Sequence, residues 1–148
     1  MVIKIHTHPT DVTDFPLFSL KDLESLAEIY ANTTNENLGE VTILLICNIK
    51  GVSNTYALTI ENFYNLQNAI NNTLATVNND REKIKRSIAN TGHGYVDKEL
   101  AFLQYFKYFG VNLFKANADL TSWEQRKLKK GSATSTNLNG TVEGVICN

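Results

Sequence analysis

Val2-Ile3-Lys4-Ile5-His6-Thr7-His8-Pro9, followed after a loop by Phe18-Ser19-Leu20-Lys21-Asp22-Leu23, is the stretch on which the reading of this chain's fold turns. Val2 to His6 alternates and is rich in β-branched residues, which predicts a strand closed by the histidines. Pro9 to Pro16, with its Thr and Asp turn formers, predicts a loop. Ser19 then opens a helix of about twelve residues, because Leu23, Leu26, Ala27 and Tyr30 recur at helical spacing until Asn32-Thr33-Thr34-Asn35. Ser-x-x-Asp ahead of an apolar stripe has the spacing of a capping box, and Phe18 with Leu23 that of a hydrophobic staple.

Further along, Val41 to Ile49 is a near-continuous apolar run, which predicts a strand covered on both faces. Thr55 to Ile60 follows after Lys50-Gly51-Val52-Ser53-Asn54 and predicts the second arm of a hairpin. Phe63, Leu66, Ile70, Leu74 and Val77 mark one helical stripe, and Asp80 to Asn90, with Ile84 and Ile88, marks another that stops at Gly92. Asp97 can cap a segment from Lys98 to Phe109. Its Leu100, Phe102, Leu103, Tyr105, Phe106, Tyr108 and Phe109 cover most of a helix circumference, so it is expected to be largely buried. Beyond Gly110 come Val111 to Phe114, Trp123 to Leu128 and Thr141 to Cys147, all read as strands, the tail forming an added hairpin or edge strand. The fold class expected is α+β: a mixed sheet with flanking helices over residues 1–128, and a polar loop and terminal strand over 129–148 packed on the same domain.

At 148 residues and 43% hydrophobic content the chain suits one domain with a real core. A net charge of −1 and a pI near 6.3 give no pull toward nucleic acid or an anionic membrane. No apolar run reaches the roughly 18 residues of a membrane span, and Met1 to Ile5 is too short for a signal peptide, so a soluble chain of undecided compartment is expected. Cys47 sits in an apolar run and Cys147 is penultimate, and two cysteines with no metal spacing between them describe neither a disulfide framework nor a zinc knuckle. The basic run Arg81, Lys83, Lys85 and Arg86 carries a Glu82–Arg86 helical pair and reads as a solvated face. His93, between two glycines, reads as a surface turn residue.

Residues at i and i+2 of a strand project from one face, so His6 and His8 can reach a shared point. Two imidazoles and one carboxylate suit Zn²⁺, and three protein ligands leave a fourth position open for a water that becomes a nucleophile near neutral pH. Asp22 would be the third ligand, brought in by the loop from Pro9 to Phe18. Ser19, one turn earlier, would point its hydroxyl at a developing oxyanion. A second account stands beside this one: Ser19 and Asp22 cap the helix, and the histidines are packed or surface side chains. The two are compatible, since a carboxylate has two oxygens.

His-Thr-His-Pro followed by Ser-x-x-Asp, at a strand end and a helix start, resembles the JAB1/MPN (JAMM) metallopeptidases, whose pattern is His-x-His, a loop, then Ser-x-x-Asp. The order of elements agrees over residues 2 to about 75. The resemblance implies a partial JAB1/MPN-like (cytidine-deaminase-like) architecture with a C-terminal β extension. It implies zinc on His6, His8 and Asp22, with Ser19 helping to stabilise the tetrahedral intermediate. It also implies hydrolysis of peptide or isopeptide bonds, as in ubiquitin-like conjugates, with some bacterial members cutting other peptides.

The chain departs from the family in two places. The stretch from His8 to Ser19 is about three residues longer than the family loop, which a surface loop absorbs. Family enzymes also carry an upstream glutamate as general base, whereas the residues before His6 include no acid. Either the chain is the later part of a longer protein, or the carboxylate comes from elsewhere, or the site is inactive. Glu24, Glu28, Glu40 and Glu61 are the nearest glutamates in the chain, with Glu24 and Glu28 expected on the solvent side of the first helix. The edge beside Val2 to His6 is expected to be open to a partner or upstream segment unless Trp123 to Leu128 or Thr141 to Cys147 fills it. The leading expectation is a zinc-dependent peptide or isopeptide hydrolase acting on a peptide or protein substrate; the alternative is a non-catalytic metal-binding or protein-interaction module.

Overall fold

A computed structural model describes residues 2–8, 17–49, 51–76, 98–131 and 140–147. Strand β1 (Val2–His8) is followed by helix α1 (Leu20–Ala31), a 3-10 turn (Asn35–Glu40), the hairpin β2 (Val41–Ile49) and β3 (Val52–Ile60), and helix α2 (Phe63–Thr76). After the expected helix 80–90 and His93, which lie outside the described residues, come α3 (Lys98–Tyr105), β4 (Val111–Ala116), β5 (Trp123–Leu128) and β6 (Val142–Ile146). The fold is α+β, with the six strands in one mixed sheet in sequence order from β1 to β6. Only the β1–β2 pair is parallel. Parallel neighbours need a crossover, and α1 supplies it.

Directly paired residues share a sheet face, so the register sorts the side chains. Val41, Ile43, Leu45 and Cys47 of β2, Tyr56 and Leu58 of β3 and Leu113 of β4 lie on one face and are buried. Leu17, Phe18, Leu23, Leu26, Leu66, Ile70, Phe102, Phe106 and Phe109 join them in one cluster. The described helices therefore bury their apolar sides against the same face. The opposite face carries a row from Ile5 through Leu44, Ala57, Phe114 and Gln125 to Val145. There Ile5 is 64% exposed and Ile46, one pleat along, 42%. The expectation that β2 is covered on both faces is corrected: its apolar run is continuous because Leu44 and Ile46 face the more open side.

Two turns also differ from the sequence reading. The β2–β3 hairpin pairs Ile49 with Val52, so its loop is Lys50-Gly51 rather than five residues. Gly51 takes φ +83° at no steric cost and its N–H donates to Asn48 Oδ1 at 2.7 Å, closing the turn early. The helix expected through Phe109 ends at Tyr105, because Phe106 and Phe109 both turn into the core. Phe106 packs at 4.8 Å from Phe102 and 4.9 Å from Phe109, while Tyr108 is left 77% exposed. Gly110 (φ +65°) then accepts from the N–H groups of Glu61 and Asn62, both at 2.9 Å, tying the start of β4 to the start of α2. A Cβ at Gly110 would sit 2.5 Å from the Asn62 carbonyl oxygen, which no rotamer relieves. The C-terminal strands form the expected added hairpin, but at the edge opposite β1, so the proposal that they fill the edge beside Val2 to His6 is corrected: β4 takes β5 as its neighbour and β5 takes β6.

A partly buried polar network pins α3 to three strands. Glu99 accepts from the Tyr56 hydroxyl at 2.8 Å, from Arg126 Nε at 2.6 Å and from Lys115 Nζ at 3.3 Å. Arg126 also meets Glu124 at 3.0 Å, and Gly144 leaves room for both, since a Cβ there would run into their side chains. Burial works to raise the Glu99 carboxyl, but the Tyr56 hydroxyl, Arg126 and Lys115 outweigh it and hold it below the ordinary carboxylate range. Burial, then the Glu99 charge, pushes the Tyr56 phenol up. Near pH 4 the unfolded chain thus binds more protons at this position than the folded chain does, and stability falls as acid is added. Above pH about 10 the unfolded chain releases the Tyr56 proton first, and stability falls again. Urea melts across pH should show both declines for wild type, with the acid one shallower in Glu99→Gln; an equal acid slope would contradict the network.

Candidate metal centre

The corner that the motif predicts is built by β1 and the first turn of α1. Ser19 caps α1 in extended conformation (φ −94°, ψ 171°), and Asp22 sits at the third helical position. Asp22 is 5% exposed, and among the described residues it is the one charged side chain so fully withdrawn from solvent. A buried carboxylate needs donors, and three surround it. Its Oδ2 accepts from the Ser19 N–H at 2.7 Å and from the Ser19 hydroxyl at 2.8 Å. Its Oδ1 lies 2.8 Å from Nδ1 of His6, whose side chain is 28% exposed. The helix N-terminus adds favourable field for the negative charge. Phe18 and Leu23, on either side of the cap, are both fully buried in the core cluster.

The structure therefore brings Ser19, Asp22 and His6 together. His8 ends β1 in register with Cys47, and its side chain lies outside the described residues, as does the loop from Pro9 to Pro16. Among the described residues no third His, Cys, Asp or Glu joins His6 and Asp22 in a metal-sized group, and this includes Glu24, Glu28, Glu40 and Glu61. Glu24 is half-buried along α1, and the other three are exposed. One imidazole and one carboxylate, both donor types that zinc accepts, converge here, and His8 lies two residues on along the strand. Bonds of about 2.1 Å at tetrahedral angles place two ligand atoms about 3.4 Å apart, so a shared ion asks this pair to open from 2.8 Å by about 0.6 Å.

The Glu99 network is the polar cluster that sequence reading missed. Its members come from β3, α3, β4 and β5, and Tyr56 and Glu99 stand 43 residues apart, so no local spacing announces it. The register sets its place relative to the corner: His6, Leu45, Tyr56, Lys115 and Glu124 follow one another across the sheet on the same face. Two strand spacings put Tyr56 about 10 Å from His6 along that row. Comparison with protein-family models, with curated proteins and with solved structures finds no match. The site is therefore argued from its own geometry. No helix among the described residues is long and apolar enough to cross a membrane.

Cys47 and Cys147 are both free, the first buried and the second exposed. Burial pushes the Cys47 thiol up to about 11, against a smaller opposing pull from the Lys115 charge. A thiol held that high is almost wholly protonated at neutral pH and reacts slowly. With a chromogenic disulfide at pH 8, one thiol per folded chain should react promptly and the second only on unfolding; loss of the prompt thiol in Cys147→Ser assigns it. Prompt reaction of both thiols would contradict the buried placement.

Proposed function

We propose that this chain is a zinc-dependent hydrolase-type domain of the JAMM kind, acting on peptide or isopeptide bonds. The observation that carries the reading is the 2.8 Å approach of Asp22 Oδ1 to His6 Nδ1, with Ser19 bound to the other carboxylate oxygen. Residues from a strand end and a helix start, 16 positions apart, meet where the motif requires them to meet. The β1–α1–β2 crossover and the β2–β3 hairpin are in keeping with the first part of a JAB1/MPN architecture. In this reading His6, His8 and Asp22 are the zinc-binding set. Bound zinc would supply Lewis acidity and an activated water.

The chain's own residues supply orientation. Ser19 and Asp22 lock the helix start to β1, and Lys4 lies on the same strand face as His6, two residues earlier. A base for the activated water would arrive on a strand laid along the outer edge of β1, which has β2 as its one strand neighbour among the described residues. The second reading is a non-catalytic metal-binding or protein-interaction module.

Metal analysis of the purified chain after zinc exposure and desalting should find one zinc per chain, and His6→Ala with His8→Ala should lose it. A wild-type chain that holds no zinc, or a double variant that holds as much, rules the reading out. Bound zinc with no hydrolysis of peptide or isopeptide substrates selects the non-catalytic module.

A further inference from the structure

The described helices bury their apolar sides against one face of the sheet, the face that carries Ile43, Leu45, Tyr56 and Leu58. On the other face Ile3 is 40% exposed, Ile5 64% and Ile46 42%. Ile5 pairs with Leu44, and Ile3 and Ile46 lie one pleat to either side, so the four make one apolar patch at the β1–β2 end.

Charge is sparse on the same face. β1 places three residues on it, β2 and β3 four each and β4 three, and none of these fourteen is charged. The chain as a whole is 20% charged, so about three charges would fall there by chance. Lys127 and Glu143 are the charges that β5 and β6 add, and they stand opposite each other in the register. Asn112 and Gln125 share the face and bond to each other at 2.7 Å. A solvated sheet face is ordinarily polar, whereas the core of a protein interface is depleted of charge.

We propose that this face is the contact between two copies of the chain, packed sheet against sheet about a two-fold axis that crosses the strands. Such an axis lays the β1–β2 end of one copy over the same end of the other, and isoleucine meets isoleucine. Lys127 and Glu143 then stay at the opposite rim. An axis running along the strands would set Ile3 and Ile5 over those two charges and desolvate them against apolar surface. The face is neutral as a unit, so two copies bring no repulsion to the contact. Six strands about 4.8 Å apart and about six residues at 3.3 Å span roughly 570 Å², so a pair covers on the order of 1,100 Å², enough for a specific but reversible contact. His6, next to Ile5, projects from the other face, so the pairing leaves the His6–Asp22 corner uncovered and stands whether or not that corner holds zinc.

Sedimentation velocity of the full chain from about 2 to 200 μM should show monomer giving way to dimer and to nothing larger, as mass action and a closed two-fold require. Ile5→Lys and Ile46→Lys, each with a wild-type circular dichroism spectrum, should weaken the dimer at least about tenfold. Ile5→Thr with Ile46→Thr, a residue type this face already carries, gives the same reading if a lysine variant does not fold. Mixing Ile5→Lys with Ile5→Glu should restore the dimer above the level of either alone, because the axis brings the two patches together. A wild type that stays monomeric, association that runs past two, a dimer that the variants leave at wild-type strength, or a mixture that restores nothing overturns the proposal.

Discussion

A carboxylate carried to 5% exposure must be met by donors or give up its charge, and the way this chain meets Asp22 organises the whole N-terminal corner. Ser19 supplies two donors from the helix start and His6 a third from the strand. The helix cannot begin one residue early or late without breaking the cap, and β1 cannot slip by one residue without turning His6 to the other sheet face. Capping of α1 and the tie to β1 therefore run through the same carboxylate. The two oxygens of one carboxylate let a stabilising role and a site-forming role coexist.

The sheet carries this order outward. Because β1 runs parallel to β2 and every later pair is antiparallel, His6 lies in one cross-strand row with Leu45, Tyr56, Lys115 and Glu124. The row begins at the polar corner, passes through apolar core and ends in the Glu99 network. That network holds α3 against β3, β4 and β5, with the Lys115 ammonium 5.5 Å from the Tyr56 ring centre adding a cation–π contact. Its charges are two of each sign, so it is neutral as a unit, and its Glu99 carboxylate is committed to three donors. Such a group braces the fold and is poorly suited to move a proton for His6.

Much of this was legible in residue order because the deciding signals are local. The alternation of Val2 to His8, the Ser19–Asp22 spacing and the apolar stripe of α1 each depend on neighbours within a few positions, and all three elements form as expected. The hairpin turn was misjudged because Val52-Ser53-Asn54 lacks strong strand character, and tertiary pairing with Ile49, Asn48 and Cys47 overrides it. The two-sided burial expected of β2 failed because an unbroken apolar run does not say whether a second layer exists on the far side. The end of α3 was misplaced because aromatic residues at 102, 105, 106, 108 and 109 satisfy helical and turn periodicities alike. Tyr56, Glu99, Lys115 and Arg126 carry no spacing signal, since only the sheet register and the packing of α3 on the sheet bring them together.

The central claim is that His6 and Asp22 act as one unit across the gap between strand and helix. A double-mutant cycle in urea denaturation, with His6→Ala, Asp22→Ala and the pair combined, measures that coupling without reference to any ligand. The account predicts a coupling of about 1 kcal/mol or more, since removing either partner leaves the other's hydrogen bond unmade. Additivity to within about 0.3 kcal/mol would contradict it.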